Sequence, residues 1–277
     1  MTPIRFWSAG VIACTVAACH ADAVTNSPVI PAAGIHFVNA VPDTAKMDFR
    51  VVDIVSNAGL FGVAFRGANM FYQGIEAGAR RVRVFYDTTD VVIAQTVLSD
   101  TMDTYVLSQG YTFMEAGFAR AGATPRRTVW IIADNAGDPG ANNVGVRIIH
   151  AGAGLGNVDV YLIRHPADTL ALSGPVGTNV AYGAVGSYGA VAADTQTQAL
   201  AVVFTAAGTT TPILANVALP PGSPGSTTTN PIAGARVPGS VLTAVLVPPS
   251  VPGSKAPSFG AAGAVLLVDR RPADTAR

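Results

Sequence analysis

The chain has 277 residues, of which 49% are hydrophobic and only 12% are charged, and its 17 Lys and Arg balance its 17 Asp and Glu. This balance provides no basic surface for nucleic acid, so we expect no nucleic-acid partner. After residue 20 no apolar run approaches the roughly 18 residues that a membrane-spanning helix needs, and the length suits two domains of ordinary size.

The first 18 residues have the pattern of a signal peptide. Arg5 and the terminal amine give a positive start, Phe6 to Ala18 is apolar, and polar residues follow from His20. This order, with an apolar stretch too short to span a bilayer comfortably, is typical of a segment that directs export. We therefore expect an exported protein.

The end of this segment, Val16-Ala17-Ala18-Cys19, resembles the lipobox of bacterial lipoproteins. In that family the Cys is lipidated and becomes the first residue of the mature chain. The resemblance implies that Cys19 carries the lipid that anchors the protein, at the outer membrane or cell surface. An ordinary signal peptide cut after Ala18 or Ala21 is the alternative, and it would give a periplasmic or secreted protein.

The two cysteines then have separate fates. Cys14 leaves with the signal peptide and Cys19 is acylated, so no thiol remains for a disulfide or a metal. A metal site built on both cysteines would need further ligands, and His20 alone is nearby. We expect no metal and no other cofactor.

Turn-forming segments divide the rest of the chain. Residues 19–33 are small and polar with two prolines, which suits a flexible tether. Residues 136–144 are dense in Gly, Asp, Asn and Pro, which suits a linker. The predicted organisation is a signal peptide at 1–18, a tether at 19–33, a first domain at 34–135, a linker at 136–144, a second domain at 145–270 and a tail at 271–277.

The two predicted domains contain a repeat. Ile35 to Val52 aligns without a gap with Val146 to Ile163, at an offset of 111 residues. Further on, Val82 to Asp100 resembles Leu200 to Pro221, with Phe85 matched to Phe204. Because the second copy is apolar on both faces there, the register of this match stays open by one residue. Each half also ends in an apolar run that leads to an Asp. A period of more than a hundred residues indicates duplicated domains rather than a solenoid.

Each copy has the pattern of β-strands. Met47, Phe49 and Val51 alternate with Asp48 and Arg50, the period of two expected where one face of a sheet packs on a core. No segment sustains a helical period with caps. Short strands separated by Gly, Pro, Asn and Thr turns predict an all-β protein of two tandem antiparallel β-sandwich domains. Segments 220–239 and 248–260 are rich in Pro, Gly and Ser, which predicts mobile surface loops.

A family resemblance appears in the second copy. Its segments VRIIHA (residues 146–151), VDVYL (158–162) and NVAYGAVGSY (179–188) resemble the DUF4397 domain, a bacterial and archaeal extracellular domain of unknown function. The first copy departs from this pattern at Asn39, which stands where His150 does, and at Phe49-Arg50. The resemblance implies two tandem copies of an immunoglobulin-like sandwich and an exported location, but it implies no chemistry.

Residues that could carry chemistry are few. Asn39 and His150 occupy matching strand ends, where their side chains can organise the following loop or contact a ligand. Asp48 and Asp159 also match, but they belong to different predicted domains and form no acid–base pair without a cleft between the domains. Histidines are too scattered to suggest a metal site.

Two further patterns have competing interpretations. Gly152 to Gly156 follows a strand, as in dinucleotide sites, but the next residues alternate as a strand where a phosphate site needs a helix. The aromatic group Phe61, Phe65, Phe71 and Tyr72 could form a carbohydrate platform or lie in the core, and the core is the commoner place.

These patterns favour a non-enzymatic module of the cell envelope that binds a protein or glycan or has a structural role. The alternative is a hydrolase-like enzyme with its site in the interdomain cleft or the long loops. The nucleophile pattern GxSxG is absent. Convergence of His150, Asp159 and an Arg in a deep cleft would favour the enzyme.

Overall fold

The computed structural model describes residues 30–54, 59–164, 168–193 and 200–276. The predicted signal peptide and Cys19 lie outside these residues, as does nearly all of the tether. The first half contains β1 (Ala32–Ala40), β2 (Met47–Val51), β3 (Gly59–Val63), β4 (Gln73–Glu76), β5 (Gly78–Tyr86), α1 (Val91–Ala94), β6 (Val97–Tyr105), β7 (Gly110–Ala116) and β8 (Thr128–Asp134). The second half contains β9 (Asn143–His150), β10 (Val158–Ile163), α2 (Leu170–Ser173), β11 (Gly177–Val180), β12 (Gly189–Ala192), β13 (Ala201–Ala206), β14 (Ile213–Ala218), β15 (Val241–Val247) and β16 (Gly263–Arg270).

The strands form four sheets, two in each half. In the first half they are sheet I, of strand order β3-β2-β5-β6, and sheet II, of order β4-β1-β7-β8. In the second half they are sheet III, of order β12-β9-β15-β16, and sheet IV, of order β11-β10-β13-β14. The prediction of an all-β protein with two β-sandwiches is confirmed, and the two halves share one strand order. The sheets are not purely antiparallel, because β1 pairs with β7 and β9 with β15 in parallel.

Three hydrophobic cores lie between the four sheets. One fills the space between sheets I and II and includes Phe37, Phe49 and Phe113. Another fills the space between sheets III and IV and includes Val160 and Phe204. The third joins sheets II and III, so the layers follow the order I to IV. The described residues from Pro31 onward accordingly belong to one compact unit.

The predicted alternation is seen only in part in β2, because Asp48 is buried along with its apolar neighbours, at 6% exposed. Met47, Phe49 and Val51 are buried with at most 1% of their surface exposed. The predicted match of Phe85 to Phe204 is wrong by one residue, since Phe49 pairs with Val84 and the matching Val160 pairs with Phe204. Phe85 instead lies beneath the guanidinium of Arg50, at 4.9 Å.

The loop between β14 and β15 is more ordered than its composition predicts. Ala233 and Ala235 belong to the core between sheets III and IV. The backbone N–H groups of Ala235 and Arg236 donate to the carbonyls of Pro220 and Pro221, at 2.8 and 2.9 Å. Small residues let this segment reach the core, so the prediction of a surface loop is wrong for residues 233–235, whereas most residues from 221 to 230 are exposed as predicted.

Both helices are single turns of four residues. Among the residues that the structure describes, no helix is long and apolar enough to cross a membrane.

Candidate functional site at the interface of the two sandwiches

Asn39 and His150 each hold the loop that follows their strand. The side chain of Asn39 accepts from Val41 N at 3.0 Å and donates to the Val63 carbonyl at 2.9 Å. His150 Nδ1 accepts from Gly152 N at 3.1 Å, while Nε2 lies 2.8 Å from the Gly156 carbonyl, to which it donates. Burial lowers the pKa of His150, although the Gly156 carbonyl acts against this shift. In both side chains the hydrogen-bond donor and the acceptor are thus paired with backbone groups.

Asp48 and Asp159 also bond to the backbone of neighbouring segments rather than to each other. Asp159 accepts from the backbone N–H groups of Asn179 and Gly208, both at 2.8 Å. Asp48 accepts from Gly62 N at 2.8 Å and from Arg50 Nη2 at 2.5 Å. His150 and Asp159 therefore do not converge on an Arg in a cleft.

The two ambiguous motifs are resolved by their position. Gly154 and Gly156 have φ of 82° and 73°, and the strand β10 follows directly, so the glycines form a strand-to-strand loop as expected. The four aromatic residues of the second motif differ in burial and in location. Phe65 is buried, Phe61 and Phe71 are about half exposed at 51% and 47%, and Tyr72 belongs to a different site.

That site is a buried polar cluster between sheets II and III. It combines side chains from both halves: His36, Tyr72, Thr112, Asp134, Arg147, Tyr188, Thr243 and Asp269. The side chains of His36, Asp134 and Asp269 are fully buried, and that of Arg147 is 2% exposed. We refer to these eight residues as the interface cluster.

The interface cluster has an approximate twofold arrangement. In the first half His36 stacks on the Tyr72 ring, with ring centroids 3.9 Å apart, and the Tyr72 hydroxyl donates to Asp134 at 2.9 Å. In the second half the guanidinium of Arg147 lies 4.5 Å from the centre of the Tyr188 ring. The Tyr188 hydroxyl donates to Asp269 at 3.0 Å. Each Tyr directly precedes the edge strand of its inner sheet.

A threonine supports each carboxylate. Thr112 Oγ1 lies 2.9 Å from one oxygen of Asp134 and 3.1 Å from the other, and Thr243 Oγ1 donates to Asp269. Thr243 in turn accepts from Arg147 Nε at 2.8 Å.

The charged contacts cross between the halves. Arg147 Nη2 of β9 donates to Asp134 Oδ1 of β8 at 2.7 Å. His36 Nε2 of β1 faces Asp269 Oδ1 of β16 at 3.4 Å, and neither atom has a hydrogen-bond partner within the described part of the chain. One nitrogen or oxygen atom from each of His36, Asp134 and Asp269 lies within 4.8 Å of the other two. These three residues could hold a metal ion.

Burial dominates the electrostatics of the interface cluster. It raises the pKa of Asp134, although the neighbouring Arg147 acts in the opposite direction. Burial and the nearby carboxylates raise the pKa values of Tyr72 and Tyr188, so both hydroxyls remain hydrogen-bond donors at neutral pH. Burial disfavours the charge of Arg147, but Asp134 and Asp269 outweigh it and raise the Arg147 pKa.

Among the described residues, three cavities border the interface cluster. One, of about 560 Å³, is lined by Tyr72, Asp134 and Asp269 together with the turn at Gln109. Another, of about 490 Å³, is lined by Arg147 and Tyr188, and a third, of about 410 Å³, is lined by Tyr72 and Asp269. Small solutes can therefore approach the interface cluster from more than one side.

The family comparison covers one sandwich and the start of the next. Residues 33–161 match the family model described as "Domain of unknown function (DUF4397)". This match supports the DUF4397 resemblance. It runs from β1 into β10 and includes His36, Asp134 and Arg147, whereas Asp269 lies beyond the DUF4397 match. The search of curated proteins finds no match.

Sequence reasoning missed the interface cluster although the repeat contained its signal. His36 and Arg147 are separated by the 111-residue offset of the repeat, and Asp134 and Asp269 end the matching apolar runs. Polar residues that recur inside buried strands of both copies are the pattern that could have identified the site.

Proposed function

We propose that the protein is an exported, lipid-anchored module of the cell envelope, built from two tandem DUF4397 domains, that binds a protein or glycan partner or has a structural role without catalysing a reaction. The membrane is its partner through the lipid on Cys19. The lipobox-like sequence supports the anchor, and the repeated strand order supports the second domain copy.

One observation carries the non-enzymatic role. The two sandwiches share a hydrophobic core between sheets II and III. Polar side chains of the interface cluster bond to one another within each half, and the bond from Arg147 to Asp134 joins the halves. Asn39, Asp48, His150 and Asp159 bond to backbone groups of neighbouring strands and loops. A continuous body behind the predicted tether suits presentation of a surface away from the membrane.

Fatty-acid labelling in the native host tests the anchor. We expect the parent chain and Cys14→Ala to incorporate label, because Cys14 leaves with the signal peptide, and Cys19→Ala to incorporate none. Equal labelling of the Cys19→Ala chain, or no labelling of any of the three chains, would contradict the proposal.

Exposed aromatic rings provide a test of glycan binding. Phe61 and Phe71 offer planar apolar surface of the kind that packs against sugars. We expect the full chain to cosediment with isolated cell-wall polysaccharide, and Phe61→Ala or Phe71→Ala to release it. If neither substitution reduces cosedimentation, any glycan binding involves another surface.

The enzyme alternative is favoured by one observation, which is that Tyr72, Asp134 and Asp269 border a cavity at the interface. A hydrolase would turn over ester, glycoside or peptide substrates and would lose that activity in Asp269→Asn. We expect no turnover in the parent protein, and turnover abolished by this substitution would favour the enzyme.

A further inference from the structure

We propose that His36, Asp134 and Asp269 bind a divalent transition-metal ion of the Zn²⁺ type between the two sandwiches. The set joins an imidazole nitrogen to carboxylate oxygens, donors that suit Zn²⁺ and its neighbours, whereas Mg²⁺ and Ca²⁺ prefer oxygen alone. The residues come from β1, β8 and β16, so the ion would connect the two halves.

The protonation of His36 directs its free nitrogen into the site. Nδ1 lies 2.9 Å from the Asn69 carbonyl, and because a carbonyl can only accept, Nδ1 carries the proton. In the neutral ring Nε2 then holds a lone pair, which faces Asp269 Oδ1. Metal-binding histidines commonly donate their other N–H to a backbone carbonyl in this way.

The distance between His36 Nε2 and Asp269 Oδ1 fits two ligands of one ion better than a hydrogen bond between these atoms. His36 Nε2 and Asp269 Oδ1 are 3.4 Å apart, and both are buried without a hydrogen-bond partner among the described residues. A charge-assisted hydrogen bond would bring such atoms to roughly 2.7–2.9 Å. Two ligands of a tetrahedral ion with bonds of about 2.0–2.2 Å lie roughly 3.3–3.5 Å apart.

The surroundings of the carboxylates also suit ligands. Tyr72 and Thr112 donate to Asp134, and Tyr188 and Thr243 donate to Asp269, mainly through Oδ2. Such supporting hydrogen bonds orient ligating carboxylates and leave Asp269 Oδ1 available. Asp134 also accepts from Arg147 at 2.7 Å.

The charge of the interface cluster leaves a place for a cation. Two carboxylates, those of Asp134 and Asp269, lie beside a single guanidinium, that of Arg147. The cavity of about 560 Å³ that borders Asp134 and Asp269 would be the entry path of the ion.

Zn²⁺ titration of the full chain in detergent tests the site. Cys14 and Cys19 are replaced by Ser in every sample, because free thiols bind Zn²⁺ themselves. After removal of metal with a chelator, we expect one saturable Zn²⁺ per chain and a d–d absorption spectrum with Co²⁺ that reports a low-symmetry site. His36→Gln is expected to weaken binding at least ~100-fold, more than loss of a group that only supports a ligand.

Two further variants keep the test decisive. His150→Asn changes a buried histidine of β9 that holds a loop, and it is expected to bind Zn²⁺ like the parent. Tyr188→Phe keeps every ligand and removes one supporting hydrogen bond, so a loss of about 10- to 100-fold is expected even if His36→Gln does not fold. No saturable binding, or binding unchanged in folded His36→Gln or in Tyr188→Phe, would overturn the proposal.

Discussion

Asn39 and His150 occupy matching positions in the two halves and form the same kinds of hydrogen bond with different side chains. Each ends the first strand of its half and accepts a hydrogen bond from the backbone N–H two residues later. Each also donates to a carbonyl farther along. Only His150 can gain a proton near neutral pH, so the second half alone carries a pH dependence at this position.

His150→Asn should remove that dependence. Burial lowers the pKa of folded His150 below the value of about 6.5 in an unfolded chain. The unfolded state therefore binds more protons, and the stability contribution is present above about pH 6.5 and lost as the pH falls. We expect the free energy of unfolding of the parent to fall from pH 7 to pH 5 relative to the variant. The Asn should retain the bond to Gly152 but lose the one to Gly156, at a cost of about 1 kcal/mol at pH 7.

Denaturant unfolding at several pH values measures the difference between the two proteins. Other titrating groups are common to both and cancel in that difference. Parallel stability curves from pH 5 to pH 7 would show that His150 does not titrate differently on folding.

The role of a single residue could be predicted where the repeat aligned it with its counterpart. It could not be predicted where the contact partner is distant in the sequence. The matching of Asn39 with His150 follows from the gapless alignment. The contact of His36 with Asp269 joins residues 233 positions apart in different halves. No local pattern encodes such a pair, because it arises only when sheets II and III pack together.

At the scale of elements, the two sandwiches differ in how their cores are filled. Phe37, Phe49 and Phe113 form a cluster of rings with centroids 5.4 to 6.0 Å apart in the first half. The matching residues in the second half are Ile148, Val160 and Ala244. An apolar cavity of about 570 Å³ lies beside Ile148 and Val160. Smaller side chains in the second copy account for this space.

Ile148→Phe should therefore stabilise the protein. The larger ring restores the residue that the first half uses at this place, and it can occupy the cavity without displacing β10. Filling a cavity commonly adds about 0.5–2 kcal/mol to the free energy of unfolding. Denaturant unfolding checks the gain, and Ile148→Ala should move stability in the opposite direction. A loss of stability in the Phe variant would mean that the cavity cannot accept the ring.

Gly234 explains how a loop rich in Pro and Gly becomes part of a core. A Cβ at this position would lie 2.2 Å from Gly222 N and 2.4 Å from the Pro221 carbonyl carbon. Gly234→Ala should thus push the two loop strands apart and cost about 1–3 kcal/mol. Gly260 is the matched control, since a Cβ there meets no atom within 4 Å. Equal thermal stabilities of the Gly234→Ala and Gly260→Ala variants would show that residue 234 does not lie this close to the backbone of Pro221 and Gly222.

Strands of the outer sheets were easier to predict than those of the inner sheets. β2 alternates because one face meets a core and the other does not, although Asp48 is itself buried by a turn. β1 and β15 are buried on both faces, since sheets II and III each pack on two layers. Apolar and polar residues therefore do not alternate along them. The sequence predicts a strand there, but it does not predict that both faces are buried or that the strands pair in parallel.

At the scale of the whole molecule, the core between sheets II and III decides whether the halves are independent. Val38, Met114 and Leu267 are all fully buried in it. Arg66 adds a link at its edge, donating to the carbonyl of Pro248 at 2.8 Å and stacking on Phe259 at 4.2 Å. Because both halves would expose this apolar surface on separation, we expect residues 31–277 to unfold as one cooperative unit.

Leu267→Ala tests that cooperativity. Its side chain is fully buried in the shared core, and truncation of such a leucine costs about 2–5 kcal/mol. If unfolding is cooperative, amide hydrogen exchange should accelerate in β1 and β7 of the first half as much as in β15. Met114→Ala provides the reciprocal case, since it should accelerate exchange in the second half. Acceleration confined to the substituted half would show that the sandwiches unfold separately despite the core between them.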